Sequence, residues 1–137
     1  MFQIKPTLLG TLAYTLVTFC IAILWHIVLF EQHYQDFGYI EGEPNFLLGF
    51  ITIVIQGFIL SALYPLVQLK SQGIARGLKY SLTLGVFFWT SHVLAFIAKQ
   101  EISNSSLFLI MESLYLCIQF GVYGVLIGLI CKQNNKE

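Results

Sequence analysis

Residues 107–130 read LFLIMESLYLCIQFGVYGVLIGLI, an apolar run of twenty-four positions with a single ionisable group, Glu112. A helix needs ~20 residues to cross ~30 Å of hydrocarbon, so this run is long enough to span a bilayer. Its exceptions are ordered. Glu112, Tyr115, Gln119 and Tyr123 recur at i, i+3, i+7 and i+11, one stripe of a 3.6-residue helix. Cys117, Gly121, Gly124 and Gly128 form a stripe of small residues on the opposite face, ending in G-x-x-x-G. Small residues let helix backbones approach closely. The run is therefore predicted to be a helix with one polar, inward face and one tight-packing face. The second face meets another helix of this chain or a second subunit.

Three more runs of this kind precede it, over about 8–30, 46–69 and 80–98. None alternates with the period of a barrel strand, and a bilayer demands that every backbone amide be satisfied within the protein, so helices are expected throughout. The chain is 57% hydrophobic and 10% charged over 137 residues, with a mean hydropathy of +0.77. A soluble domain carries roughly 25% charged residues, and one this small cannot bury so much apolar surface. The expectation is a single transmembrane domain over 1–137, an all-α bundle of four membrane helices with the lipid bilayer as its main partner. The first run is too long for a signal-peptide core and has no small-residue cleavage motif after it, so it is read as a retained helix.

Lysine and arginine set the orientation. Lys5, Lys70, Arg76, Lys79, Lys132 and Lys136 fall at one end of the bundle, and only Lys99 falls at the other. The other end holds Glu31, Asp36, Glu41, Glu43 and Glu101. Both termini are expected to be cytoplasmic, in a cell inner membrane, with the 31–45 loop a solvated acidic connector outside. Pro6 is expected to precede the first helix, and Pro65 to kink or end the second. Tyr34, Tyr39, Tyr64 and Tyr80 are read as interfacial aromatic belts. No basic block suggests nucleic acid.

The halves look duplicated. Placing His26 on His92 also aligns Tyr14 with Tyr80, Leu16 with Leu82 and Phe30 with Phe96, while Gln56 aligns with Gln119. The offset is 66 in the first pair of helices and 63 in the second. A duplication of this sense relates two helical hairpins by a pseudo-twofold along the membrane normal.

Ionisable groups inside a membrane helix are expensive and usually face the bundle interior. The candidates here are His26, His92 and Glu112, with Gln56 and Gln119. At 1.5 Å of rise per residue, the two histidines and Glu112 lie roughly 6–9 Å below the outer helix ends, and the glutamines roughly 15–18 Å below. The first three thus share a layer. On the first helix Thr15, Ala22 and His26 share a face, which His33 extends if the helix continues. Gly49, Thr52 and Gln56 share one on the second.

That layer admits several roles. It could hold and pass a proton, since histidine titrates near neutrality, or cradle the polar head of a lipid or quinone. If it binds a metal, His26, His92 and Glu112 are the ligands, a set suited to zinc, iron or manganese, although no H-x-x-H, H-x-x-x-H or E-x-x-H spacing reinforces it. It could also be purely structural, with Glu112 bonding the histidines and the glutamines bonding each other. Direct hydrogen-bond distances among the three would favour the structural role, and a gap would favour a ligand. Cys20, Cys117 and Cys131 form no CxxC pair, so neither a disulfide framework nor a thiol redox motif is expected. Nucleophile elbow, phosphate loop and dinucleotide fingerprint are absent. Ser91 and His92 are sequence neighbours, which point about 100° apart on a helix and form no dyad.

The run Leu24-Trp25-His26 through Phe30, with Glu43-Pro44, Leu48-Gly49-Phe50, Ile55-Gln56-Gly57, Ser91-His92-Val93-Leu94-Ala95 and Ile118-Gln119-Phe120, resembles small uncharacterised four-helix proteins of bacterial inner membranes. The resemblance implies the fold and brings no activity, cofactor or site residue. The function expected is handling of a small ligand, ion or proton at the polar layer. Four helices rarely enclose a pathway alone, so this implies a homo-oligomer through the Cys117/Gly121/Gly124/Gly128 face. The alternatives are an accessory or assembly subunit with a structural layer, and a membrane metal- or redox-dependent enzyme using the His/Glu layer.

Overall fold

The computed structural model describes residues 3–39 and 42–134, with side chains as far as Cys131. Glu41 and Lys136, used above for orientation, lie outside the described residues, as does the side chain of Lys132.

The described residues form five helices: α1 Ile4–Leu29, α2 Glu31–Asp36, α3 Phe46–Leu66, α4 Gly73–Lys99 and α5 Ser105–Asn134. The described residues contain no strand. All but α2 are long and apolar enough to cross a membrane. Their outward faces carry leucine, isoleucine, valine and phenylalanine, with Leu47 70% exposed and Phe87 66%. A monomer in water rarely shows so much contiguous apolar surface. The chain is a multi-pass helical membrane protein. The lower end of the bundle is taken below as the one holding the 67–72 connection, and the upper end as the one holding α2.

Local chemistry sets the helix ends. Asn45 caps α3, its Oδ1 accepting from Leu48 N–H at 3.0 Å, and Asn104 caps α5 through Leu107 N–H at 3.0 Å. Such a cap satisfies one of the N–H groups that a helix start leaves open. Pro65 ends the α-helical part of α3 at Leu63, and a single 3₁₀ turn, Tyr64–Leu66, follows. Arg76 covers the open end: its Nη2 donates to the carbonyls of Tyr64 and Val67 at 3.2 and 3.0 Å, and its guanidinium lies 4.6 Å from the Tyr64 ring centre.

Three boundaries differ from expectation. The first helix begins at Ile4, so Pro6 lies in its first turn rather than ahead of it; there a missing N–H costs no hydrogen bond. The second membrane helix stops at Leu66 rather than at 69. The third begins at Gly73 rather than at 80. The basic and glycine-rich stretch Gly73–Lys79 looked like a loop, but its glycines are helix contacts. A Cβ on Gly77 would collide with Gly124 O, one on Gly128 would come within 2.6 Å of Gly73 O, and one on Gly124 within 3.0 Å of Gly77 O. The small-residue stripe of α5 is thus used within the chain at Gly124 and Gly128. Only its upper part, exposed Cys117 and half-buried Gly121, faces open space.

Helices α4 and α5 pack most extensively, followed by α1 with α3 and α1 with α5. Helices α3 and α4 meet only near the lower end. There Tyr80 Oη donates to Leu60 O at 2.6 Å, and the Tyr64 and Tyr80 rings lie 5.0 Å apart. Farther up, residues of both helices line an open cleft.

The 31–45 segment is no simple solvated connector. Helix α2 folds back over the bundle and buries Tyr34 completely and Phe37 nearly so. Tyr39 follows, its ring 5.6 Å from that of Phe108. Burial of these aromatic rings outweighs the acidic composition of the segment.

The repeat recurs in the backbone. Both α1 and α4 widen into a π-helical turn, over Leu24–Leu29 and Thr90–Leu94. Phe30 N–H reaches back five residues to Trp25 O, and Ala95 N–H five residues to Thr90 O. Each wide turn contains the histidine of its helix.

Candidate functional site: two imidazoles on one buried carboxylate

Isolated π-helical turns within α-helices are uncommon and occur often at functional sites. Here they bring His26 and His92 to one group on α5. His26 Nε2 lies 2.9 Å from Glu112 Oε1, and His92 Nε2 lies 2.9 Å from Glu112 Oε2. The Glu112 side chain is 0% exposed, His26 12% and His92 37%. The predicted layer therefore exists, and one carboxylate serves both halves of the repeat. At the offset of 63, the counterpart of Glu112 in the first half is Gly49.

Donor counting places a proton. His26 Nδ1 lies 3.1 Å from the carbonyl of Ala22. A carbonyl only accepts, so Nδ1 carries hydrogen. In a neutral ring Nε2 would then be a bare lone pair facing a carboxylate lone pair. A proton must lie between them, either on the imidazole as an ion pair with Glu112 or on the carboxyl group. Both forms are net neutral, which suits a group withdrawn from water. His92 has only its Nε2 engaged, by Glu112 and by the Tyr39 hydroxyl at 3.2 Å. Its Nδ1 has no hydrogen-bond partner among the described residues.

Aromatic residues of the folded-back segment close the layer from above. The Tyr34 hydroxyl donates to Glu112 Oε1 at 2.6 Å and accepts from Trp25 Nε1 at 2.9 Å. Tyr34, Tyr39 and Tyr115 surround the His26 ring, with centres 4.4, 5.7 and 4.6 Å away. Burial first, and then the adjacent Glu112 carboxylate, raise the Tyr34 and Tyr39 phenols above the ordinary tyrosine range. Both remain donors at physiological pH.

About two turns deeper, the glutamines do not bond each other. Gln119 Nε2 donates to Tyr14 Oη at 3.0 Å, and Tyr14 in turn donates to Gln56 Oε1 at 3.2 Å. Gln56 Nε2 and Gln119 Oε1 keep unused capacity among the described residues. His33 does not extend the histidine face of α1, because the helix breaks at Phe30 and His33 lies exposed on α2. Ser91 turns its hydroxyl to the carbonyls of Phe87 and Phe88.

A cleft of about 640 Å³ runs beside both layers, between α3 and α4. Tyr14, His26, Gln56, His92 and Gln119 line it, with Gly49 and Thr52 on the α3 side. A second, more apolar groove of about 500 Å³ lies between α1 and α3 and shares His26, Tyr39 and Gly49 with the first. A Cβ on Gly49 would meet nothing within 4 Å.

No group of three or more His, Cys, Asp or Glu side chains among the described residues is gathered to hold a metal ion. The three cysteines are free and separate. Compared with family models, with curated proteins and with solved structures, the chain gives no match in any of the three.

Proposed function

We propose that this chain is a small ligand- and proton-handling membrane protein whose working centre is the His26–Glu112–His92 network. The observation that carries the reading is the odd proton. Glu112 and His26 share one, while His92, on the other carboxylate oxygen, is a third exposed and has a free Nδ1. With its Nε2–H facing the carboxylate, the His92 ring can take a proton on Nδ1 and pass its Nε2 proton to Glu112, and the reverse returns one, so the buried pair exchanges protons through a ring that lines the cleft. Histidine is the side chain suited to such exchange near neutral pH. The basic residues Lys5, Lys70, Arg76 and Lys79 at the lower end support cytoplasmic termini in an inner membrane, with the centre in the outer half. The test is infrared difference spectroscopy of the reconstituted protein between about pH 5 and about pH 8, the window in which histidine titrates. A carboxyl band that changes in the wild type and is missing in Glu112→Gln is expected. Identical spectra for the two proteins would remove the proposal.

The direct 2.9 Å contacts favour a second reading. An accessory subunit could use the same bonds only to clamp α1 and α4 onto α5. On that reading Glu112→Gln lowers thermal stability in detergent and changes no pH-dependent signal.

A further inference from the structure

We infer that the cleft between α3 and α4 is a binding site for an uncharged amphiphile, whose head carries carbonyl and hydroxyl oxygens and which enters sideways from the lipid. The inference rests on the reading above for the polar centre and adds the class of ligand.

Charge comes first. Among the described residues no lysine or arginine lines the cleft, and Glu112, the carboxylate behind it, is neutralised by His26. A phosphate head would find no cation there, and an ammonium head no free anion in the cleft itself, Glu43 lining only the adjoining groove. Burying either without a partner is strongly unfavourable. An uncharged head meets neither penalty.

Hydrogen-bonding capacity comes second. The unused groups around the cleft are one acceptor nitrogen at His92 Nδ1, the Gln56 amide N–H₂ and the Gln119 amide oxygen. That mixture of donors and acceptors matches carbonyl and hydroxyl oxygens. Tyr14, Phe88 and Tyr115 supply aromatic walls for a compact or planar head.

Access comes third. Because α3 and α4 make little direct contact and both line the cleft, it opens between two membrane helices. It joins the apolar groove between α1 and α3 across Gly49, where the missing side chain leaves passage for a tail. The repeat places that gap opposite Glu112. The first half thus has space where the second has a carboxylate.

Two sources supply this chemistry: an isoprenoid quinone or quinol, and a diacylglycerol. The full chain in phosphatidylcholine nanodiscs is titrated with a labelled short-tailed benzoquinone, with dioctanoylglycerol and with a short-chain phosphatidylglycerol, against empty discs. Saturable binding of one uncharged ligand is expected, and the one that binds identifies the source. Gly49→Leu should weaken it by about tenfold, the equivalent of roughly 1.4 kcal/mol, with a melting temperature no lower than that of the wild type. Should Gly49→Leu fail to fold, Gln56→Leu decides, and should weaken binding as well. No saturable binding, binding of phosphatidylglycerol alone, or equal affinity in wild type and the folded variant overturns the inference. The Glu112 infrared signal in the same discs separates the two proposals. If it persists without ligand binding, only this inference fails. If ligand binds without it, only the proton reading fails.

Discussion

The Tyr34 hydroxyl donates to Glu112 Oε1 at 2.6 Å, tying the segment that follows α1 to the upper third of the last helix, seventy-eight positions along the chain. A tyrosine in an acidic connector thereby becomes the roof of the buried centre. Trp25 donates to the same hydroxyl, so removing one oxygen atom breaks two bonds. Tyr34→Phe should lower stability by about 2 kcal/mol, the value of a hydrogen bond to a charged group. Equilibrium unfolding in mixed micelles measures this, and an unchanged midpoint would contradict the roof role.

Glu112→Leu strands two imidazoles in apolar surroundings. Breaking a buried pair by removing one partner costs about 3–5 kcal/mol. The second change His26→Leu removes a stranded partner and should restore part of the loss. A double-mutant cycle on these two positions should give a coupling of about 1 kcal/mol or more, as residues in one network do. Simple additivity would mean that the 2.9 Å contact contributes nothing.

Gly77→Ala and Gly49→Ala should separate cleanly. At Gly77 a methyl group meets the Gly124 carbonyl and the backbone of Gly128, so α4 and α5 must move apart. A loss of about 2 kcal/mol or more is expected, in the range of overpacked cores. At Gly49 there is open space, and alanine should be neutral or stabilising by up to about 1 kcal/mol through helix propensity. Melting temperatures of the two variants give the comparison, and equal losses would count against the glycine contact.

Alkaline pH should unseat the roof. Tyr34 and Tyr39 are raised above the ordinary value of about 10 by burial and by Glu112. Between that value and their folded-state values, the unfolded chain releases protons that the folded chain keeps. Their contribution to stability is complete below about pH 10 and falls as pH rises above it. Ultraviolet titration of tyrosine should find at least two phenols that ionise only with unfolding. Full ionisation of a folded protein near pH 10 would rule this out.

The four spans were legible because hydrocarbon thickness imposes a length, and apolar runs that long have few other uses. His26, His92 and Glu112 were legible too: in a membrane helix an ionisable side chain is rare enough to stand out, and rise per residue gives its depth. Tyr34, Tyr39 and Tyr14 were not. Tyrosine is ordinary at interfaces, so its appearance there carries little signal. The one clue was the cluster Tyr34, Phe37 and Tyr39, too aromatic for a loop meant only for water. The structural role had the glutamines bonding each other, but Tyr14 of a third helix stands between them, a contact that spacing along one helix does not reveal. The start of α4 was missed for a related reason. Glycine reads as a breaker unless the backbone it must touch is already known.

The wide turns around His26 and His92 have a genetic corollary. Each holds one residue more than a regular α-helix would use over the same length, so each is a place where the reading frame of the helix has slipped by a single position. Removing one codon, Ile27 or Val93, should let the ladder close into ordinary turns and leave the span intact. The flanking segments would keep their phase, because the extra residue is absorbed within the turn, but the side chains of the turn itself would be re-aimed, carrying the imidazole off the carboxylate. Single-codon deletions at these two points should therefore leave insertion and yield near normal while abolishing the Glu112 signal, whereas the same deletion within residues 115–125 should cost the fold itself.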